Sequence, residues 1–264
     1  MENTVLAGNH LLVTRDGPIV TVTFNRPEAR NAMTWGMYQR LYEACEEVDA
    51  DDAVRVLVLK GAGGKAFVAG TDISQFTQFK DAEDGIKYEK DGDTRSGRIA
   101  RVKKPVIAQI EGYAVGGGFA ITAGADIRIA TPDAKFGVPT ARTLGNTLSM
   151  KNYAMFADLI GPSRVKELMF TARLMTADEA LIAGFVHQIV PAADIEQHVR
   201  ELAEKVASHA PLTLWSTKEA LRRLQDARPL PDGDDIVRKV YGSADFKEGV
   251  KAFVEKRPPR WTGK

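Results

Sequence analysis

An α/β fold is predicted by three observations. Two stretches share one local order: residues 105–110 read as a strand and lead through Gly112 and Gly116-Gly117-Gly118 into an apolar helical run, and residues 65–69 lead through Gly70 into Thr71-Asp72, a pair suited to cap a helix. Residues 54–59 form a continuous apolar strand, the pattern of a strand buried on both faces. From about residue 192 onward the pattern is helical throughout, which divides the chain into 1–192 and 193–264.

Taken in order, residues 10–15 and 18–24 alternate around Asp16-Gly17 and predict a β-hairpin, ended by Asn25-Arg26-Pro27. Thr34 is the expected N-cap of a helix with Met37, Leu41, Cys45 and Val48 on one face. Residues 80–98 are polar and helical, weakened by Gly85, Gly92 and Gly97. After the triple glycine, residues 126–130 are a strand, Phe136-Gly137-Val138-Pro139 opens a loop over 140–147, and 148–160 is a helix stopped by Gly161-Pro162. Ser163 opens the next helix, Thr176-Ala177-Asp178-Glu179 is a capping box, and 185–190 is a last short strand. The tail reads as helices over 195–207, 212–224, 234–241 and 245–255.

Composition excludes several classes. With 44% hydrophobic and 27% charged residues the 264-residue chain is of ordinary globular type. Thirty-six basic against 35 acidic residues leave a net charge of +1, so no field of one sign points to nucleic acid or a membrane surface. The single cysteine, Cys45, excludes an intrachain disulfide and a multi-cysteine metal site, and its place on an apolar stripe makes it a buried residue. No apolar run reaches the length of a membrane span, and Met1-Glu2-Asn3-Thr4 has no basic-then-apolar signal, so a cytoplasmic location is the expectation.

Consecutive glycines let a backbone approach its neighbour where a Cβ would collide, and at a helix start they leave N–H groups unpaired. Two such amides, one from each glycine turn, would make an oxyanion hole if they converged on one carbonyl oxygen. The stretches 25–32 (NRPEARNA), 67–73, 112–118, 134–137 and 252–257 (AFVEKR) together resemble the crotonase, or enoyl-CoA hydratase/isomerase, superfamily over nearly the whole chain. The resemblance implies a spiral of strand-strand-helix units through residue 192, and after it a helical trimerisation region, the trimers often doubled to hexamers. It assigns the oxyanion-hole amides to Thr71 and Gly117 and implies a coenzyme A thioester as substrate, with no permanently bound cofactor and no metal. It sets Glu28, Ala29 and Arg30 along the pantetheine and nucleotide path, and Lys65, Ala69, Gly70, Asp72, Ile73 and Ser74 beside the thioester. Phe253 and Lys256 match positions that a neighbouring subunit offers to the coenzyme, and residues 80–98 match a variable segment over the acyl pocket, a lid.

One departure stands out. Family hydratases carry two glutamates, one three residues after the oxyanion-hole glycine and one after the Phe-Gly-x-Pro stretch. Here those positions are Ala120 and Thr140, neither of which is a general acid or base. Ordinary hydration and the simple isomerase reaction both lose their proton-handling group, leaving decarboxylation, thioester hydrolysis or binding without turnover as alternatives. Other candidates are Arg142 for an anion, Glu111 as a pocket acid or a structural carboxylate, Asp72 as a helix cap, Asp126 as a strand anchor and His187 as a structural histidine. His10 and His198 have no partner in view. The loop around Asn146 holds no aspartate that would serve as the nucleophile of the superfamily's dehalogenases.

Overall fold

The computed structural model describes residues 10–264; the Met1 to Thr4 segment lies outside them. β1 (Leu11–Asp16) and β2 (Ile19–Phe24) form the expected antiparallel hairpin, with Asp16 opposite Ile19. A 3₁₀ turn (Pro27–Ala29) precedes α1 (Trp35–Ala50), whose first turn is capped by the Thr34 hydroxyl, which accepts from the Met37 N–H at 3.3 Å. Then come β3 (Val56–Gly61), β4 (Ala66–Val68), a 3₁₀ segment (Ile73–Gln78), α2 (Ala82–Arg95) and β5 (Val106–Ile110). β6 (Tyr113–Val115), α3 (Gly117–Ala123), β7 (Ile127–Ala130) and β8 (Lys135–Gly137) follow.

The stretch expected as a loop after Pro139 instead begins with one helical turn, α4 (Thr140–Thr143), because the Thr140 carbonyl accepts from both Leu144 and Gly145 N–H groups. α5 (Met150–Ile160), α6 (Pro162–Thr171), β9 (Met175–Thr176), α7 (Ala177–Ile182) and β10 (Gln188–Ile189) complete the strand-bearing part. The Thr176–Glu179 capping box forms as read. The last strand is shorter than its apolar run, since residues 185 and 186 turn back to hydrogen-bond the Ala180 carbonyl. The tail is α8 (Ile195–Ala207), α9 (Pro211–Asp226), α10 (Asp234–Tyr241) and α11 (Ala244–Val254).

Among the described residues the strands make two sheets, ordered β1-β2-β3-β5-β7-β10 and β4-β6-β8-β9. From β3 to β8 the chain alternates between them, one strand in the first sheet and the next in the second, so each crossover advances a spiral by one unit. All pairings in that advance are parallel. This alternation explains the unbroken apolar pattern of β3. Leu57 and Leu59 enter the core between the sheets, while Val56 and Val58 pack against Ile195, Val199 and Ala203 of α8. The division at residue 192 therefore falls between β10 and α8 without interrupting the packing, because α8 covers the outer face of the first sheet. No helix is long and apolar enough to cross a membrane among the described residues.

A third cluster joins the tail to the middle of the chain. Val237 and Tyr241 of α10 and Phe246 and Val250 of α11 pack on Phe76, Ile86 and Leu144. The glycine that weakens α2 on propensity is what permits this contact: a Cβ on Gly85 would lie 2.3 Å from the Tyr241 ring. α2 also carries a complete N-cap, Asp81 accepting from Glu83 N–H at 2.9 Å.

Candidate active site

Two turns bring the glycine stretches together. After β4, Gly70 adopts φ +107° and its carbonyl accepts from Met33 N–H at 2.8 Å, while Asp72 N–H donates to the Met33 carbonyl at 2.9 Å. This parallel bridge uses the groups on either side of Thr71 and leaves the Thr71 N–H facing away from it. After β6, Gly116 adopts φ +56°, a conformation that strains any residue with a side chain. Its N–H donates to Gly137 at 2.9 Å, and Gly117 begins α3, where its own N–H has no intrahelical acceptor.

The missing side chains are filled by protein. A Cβ on Gly118 would sit 2.0 Å from the Val68 carbonyl oxygen, and one on Gly117 would meet Tyr38 Oη at 2.4 Å and Thr71 Oγ1 at 3.6 Å. The run thus seats one turn directly on the other and on Tyr38. The Thr71 hydroxyl is held between Tyr38 and Tyr88, 2.8 Å from each phenol oxygen. Burial pushes Tyr38 up to about 12 and Tyr88 well above its ordinary value, so both stay neutral.

A cavity of about 530 Å³ opens against these groups. Thr71, Gly117, Ala120 and Thr140 line it, with Trp35, Phe76 and Tyr88 among the residues facing them. Ala69, Gly70 and Ile73 line it too. Ala120 and Thr140 do face one cavity, and neither presents an ionisable group. The Thr140 hydroxyl and Asn146 Oδ1 are buried without a hydrogen-bond partner, and both residues line the cavity.

Three carboxylate residues of α2 line the cavity, Asp84, Glu89 and Asp91, and of these Glu89 is the buried one. It is 6% exposed; its Oε1 accepts from Tyr241 Oη–H at 2.7 Å and its Oε2 from Ser149 N–H at 2.8 Å. Asn146 Nδ2 in turn donates to Tyr241 Oη at 3.2 Å. Burial raises the Glu89 pKa to about 7 against the downward pull of those two hydrogen bonds, and Asp93 adds to the rise. Sequence reasoning passed over this residue among the many charges of 80–98. Its signal was position: Glu89 lies three residues after Ile86, on the stripe that α2 buries.

The other expected residues are distributed as follows. Phe253 lines the cavity, half-exposed at 52%; α11 folds back across the 73–78 segment and carries it there. Glu28, Ala29, Arg30, Lys65, Asp72, Ser74 and Lys256 are not part of the cavity wall. Arg30 is nonetheless tied to it, since its carbonyl accepts from Ala69 N–H at 3.1 Å and its guanidinium lies 5.5 Å from the Tyr113 ring centre. Buried Asn31, another residue the sequence did not single out, holds that segment in place by donating to the Ala62 and Ala66 carbonyls. Asp72 is a cap, accepting from Ser74 Oγ at 2.7 Å and paired with Arg26 at 3.1 Å; burial opposes its ionisation, but these partners hold its pKa below the usual value.

Glu111 accepts from Gln109 and does not line the cavity. Asp126 accepts from Val106 N–H at 2.7 Å and pairs with Lys218, anchoring two strand starts. His187 Nδ1 accepts from the Arg128 N–H, and burial lowers its pKa. His198 meets Gln188 on the surface, and His10 and Arg142 are exposed. Cys45 is buried, its thiol pushed up to about 12, and is inert.

Residues 14–264 match the model of a family described as enoyl-CoA hydratase/isomerase. A short-chain-enoyl-CoA hydratase of Clostridium acetobutylicum is 34% identical over 252 residues, which is 94% of this chain and 96% of that protein. Among solved structures, an enoyl-CoA hydratase/carnithine racemase from Magnetospirillum magneticum superposes with a TM-score of 0.80 at 32% identity, covering 98% of this chain and 97% of that one. A methylmalonyl-CoA decarboxylase in complex with 2-nitronate-propionyl-CoA superposes with a TM-score of 0.89 at 28% identity, covering 98% and 100%.

Proposed function

The chain belongs to the enoyl-CoA hydratase/isomerase family, and from that premise we propose that it is an enzyme, of the lyase or isomerase class, that forms and consumes the enolate of an acyl-CoA thioester. The observation that carries this reading is the pair of unpaired amides, Thr71 and Gly117, on two turns that touch at the head of one cavity. A thioester oxygen between them would receive both N–H groups, each worth roughly 3–4 kcal/mol at the moment its charge develops. Fixed backbone donors need no reorganisation, so the stabilisation is present before the substrate arrives. No permanent cofactor or metal enters this chemistry; the coenzyme arrives with the substrate.

Ala120 and Thr140 separate this site from two-glutamate water addition. The expected outcome is crotonyl-CoA hydration at least roughly a thousandfold slower than with two carboxylates in place, since each general acid or base contributes ~10²–10⁴-fold. Absorbance loss of crotonyl-CoA measures it, and Ala120→Glu with Thr140→Glu should raise it. Binding is tested separately, by calorimetry with acetyl-CoA and CoA; no binding at millimolar concentration would sink the reading. A second reading, decarboxylation of a malonyl-type thioester, is favoured by the likeness to the decarboxylase structure. Loss of CO₂ would create the enolate without a base, and mass spectrometry of a panel of malonyl-type and hydroxyacyl thioesters separates the two.

The coenzyme would run out of the cavity past Arg30 and the 69–74 segment, with Phe253 and Lys256 from the tail at its rim. The assembly that fits is a trimer or hexamer in the cytoplasm. α9 supports it: it buries none of its residues, and Leu212, Leu221 and Leu224 are 76%, 58% and 68% exposed. A monomer by light scattering at micromolar concentration would count against it.

A further inference from the structure

Proton transfer at the carbon next to the thioester needs a group that the two family positions do not supply, and the cavity contains one from a different element. Glu89 comes from α2, over the cavity, rather than from the strand ends beneath it. Each of its oxygens accepts one hydrogen bond, from Tyr241 or from Ser149, and each retains a lone pair for a further contact. The chain from Asn146 through Tyr241 to Glu89 runs donor to acceptor at every step, which fixes the carboxylate's rotamer and leaves Asn146 Oδ1 unpartnered in the cavity. The groups facing Glu89 are Tyr241 from α10, Tyr38 from α1, and Tyr88 and Asp93 on its own helix. Asp84, Lys87, Asp91 and Arg95 of the same helix also line the cavity, and Lys151 acts on Asp93.

Resting on the enolate reading above, we infer that Glu89 is the general base and acid of the cavity. Its carboxylate takes a proton from the α-carbon of a bound acyl thioester; the C–H electron pair forms the new carbon–carbon double bond, and the carbonyl π pair moves to the oxygen held by the Thr71 and Gly117 amides. Return of the proton from the Glu89 carboxyl to that carbon restores the thioester, so that with no further reaction the net event is exchange of the α-hydrogen with solvent. Tyr241 and Ser149 are positioning residues that hold the carboxylate and favour its ionised form.

The test uses butyryl-CoA, which is saturated and has nothing to hydrate, incubated with the full-length protein in D₂O and read by mass spectrometry. The expected result is deuterium incorporation whose rate rises with pH up to about 7 and is level above it, because the base must be ionised. Glu89→Gln, which keeps the side chain's shape, should slow exchange by at least ~10²-fold and flatten the pH profile. Glu89→Asp should keep part of the rate and a pH-dependent profile, which a merely structural role would not require. Tyr241→Phe removes a bond to the charged form and should move the midpoint to higher pH. Exchange by Glu89→Gln at the wild-type rate, with butyryl-CoA still bound by calorimetry, would overturn the assignment and leave the enolate reading intact. Binding by the wild type without any exchange would overturn it as well. If the wild type neither binds nor exchanges the thioester, the acyl-CoA reading falls first and Glu89 falls with it.

Discussion

The two walls of the cavity are made in opposite ways. One is backbone: Gly70-Thr71 and Gly116-Gly117-Gly118, set by strands that pair with their neighbours in the spiral, with Gly118 lying on the Val68 carbonyl. The other is side chain: Tyr88 and Glu89 on α2, held by Tyr241 from a helix 152 residues further along. A backbone wall leaves a trace in sequence because only glycine satisfies it. A side-chain wall leaves little, because many residues would fill the same space and its partners are remote. The first wall is suited to stabilising charge, the second to choosing and moving protons.

The largest effect expected from breaking this contrast is at Gly118. Gly118→Ala drives a methyl group into the backbone of Val68, which has no rotamer to yield, so the loss should reach or exceed about 3 kcal/mol, the upper part of the overpacking range. Denaturant unfolding measures it, and a loss under about 1 kcal/mol would mean the two turns are not rigidly seated. Gly85→Ala tests the other wall. Helix propensity alone predicts a gain of up to about 1 kcal/mol, whereas a Cβ 2.3 Å from the Tyr241 ring predicts a net loss of about 1–3 kcal/mol. Faster proteolysis at residues 227–233, between α9 and α10, should accompany that loss, since the tail is what is pushed away.

The remaining effect is electrostatic, comparable to that at Gly85 at most, and sharpens the comparison without breaking either wall. Glu89 has a pKa raised from 4.5 to about 7 in the folded chain. Below about 4.5 the folded and unfolded chains both hold the proton. Between there and about 7 the unfolded chain ionises first, so stability falls with rising pH. The full difference is about 3 kcal/mol at most. Glu89→Gln removes the dependence, so wild type should lose stability relative to the variant between pH 5 and pH 8. A constant difference in melting temperature across that range would mean Glu89 is not buried as described.

How much was legible follows from the same division. The hairpin, the Thr34 cap, the Thr176–Glu179 capping box and the glycine turns were all readable because each is a local rule satisfied within a few residues. Thr71 and Gly117 lie on two of those turns and line the cavity; their role as oxyanion-hole amides is a proposal. Glu89 was not readable, because its meaning depends on Tyr241 and Ser149, which no local pattern connects to it. The packing role of Gly85 was not readable for the same reason: the neighbour a Cβ there would meet is Tyr241, far along the chain. The direction in which α11 folds back, which brings Phe253 to the cavity, was not readable, since it goes with a contact of Phe76 and Phe246 that are far apart in sequence.

The return of α10 and α11 onto α2 also sets an order in time. Residues 234–254 leave a ribosome after every strand of the spiral, and until they do, Phe76, Ile86 and Glu89 lack the cover of α10 and α11. The spiral's strands pair with partners close in sequence and can assemble as they emerge, while the cavity's second wall must wait for a contact of long sequence separation, the slow kind to close. A nascent chain of this protein therefore acquires its scaffold first and its closed cavity wall only once residues 234–254 have emerged.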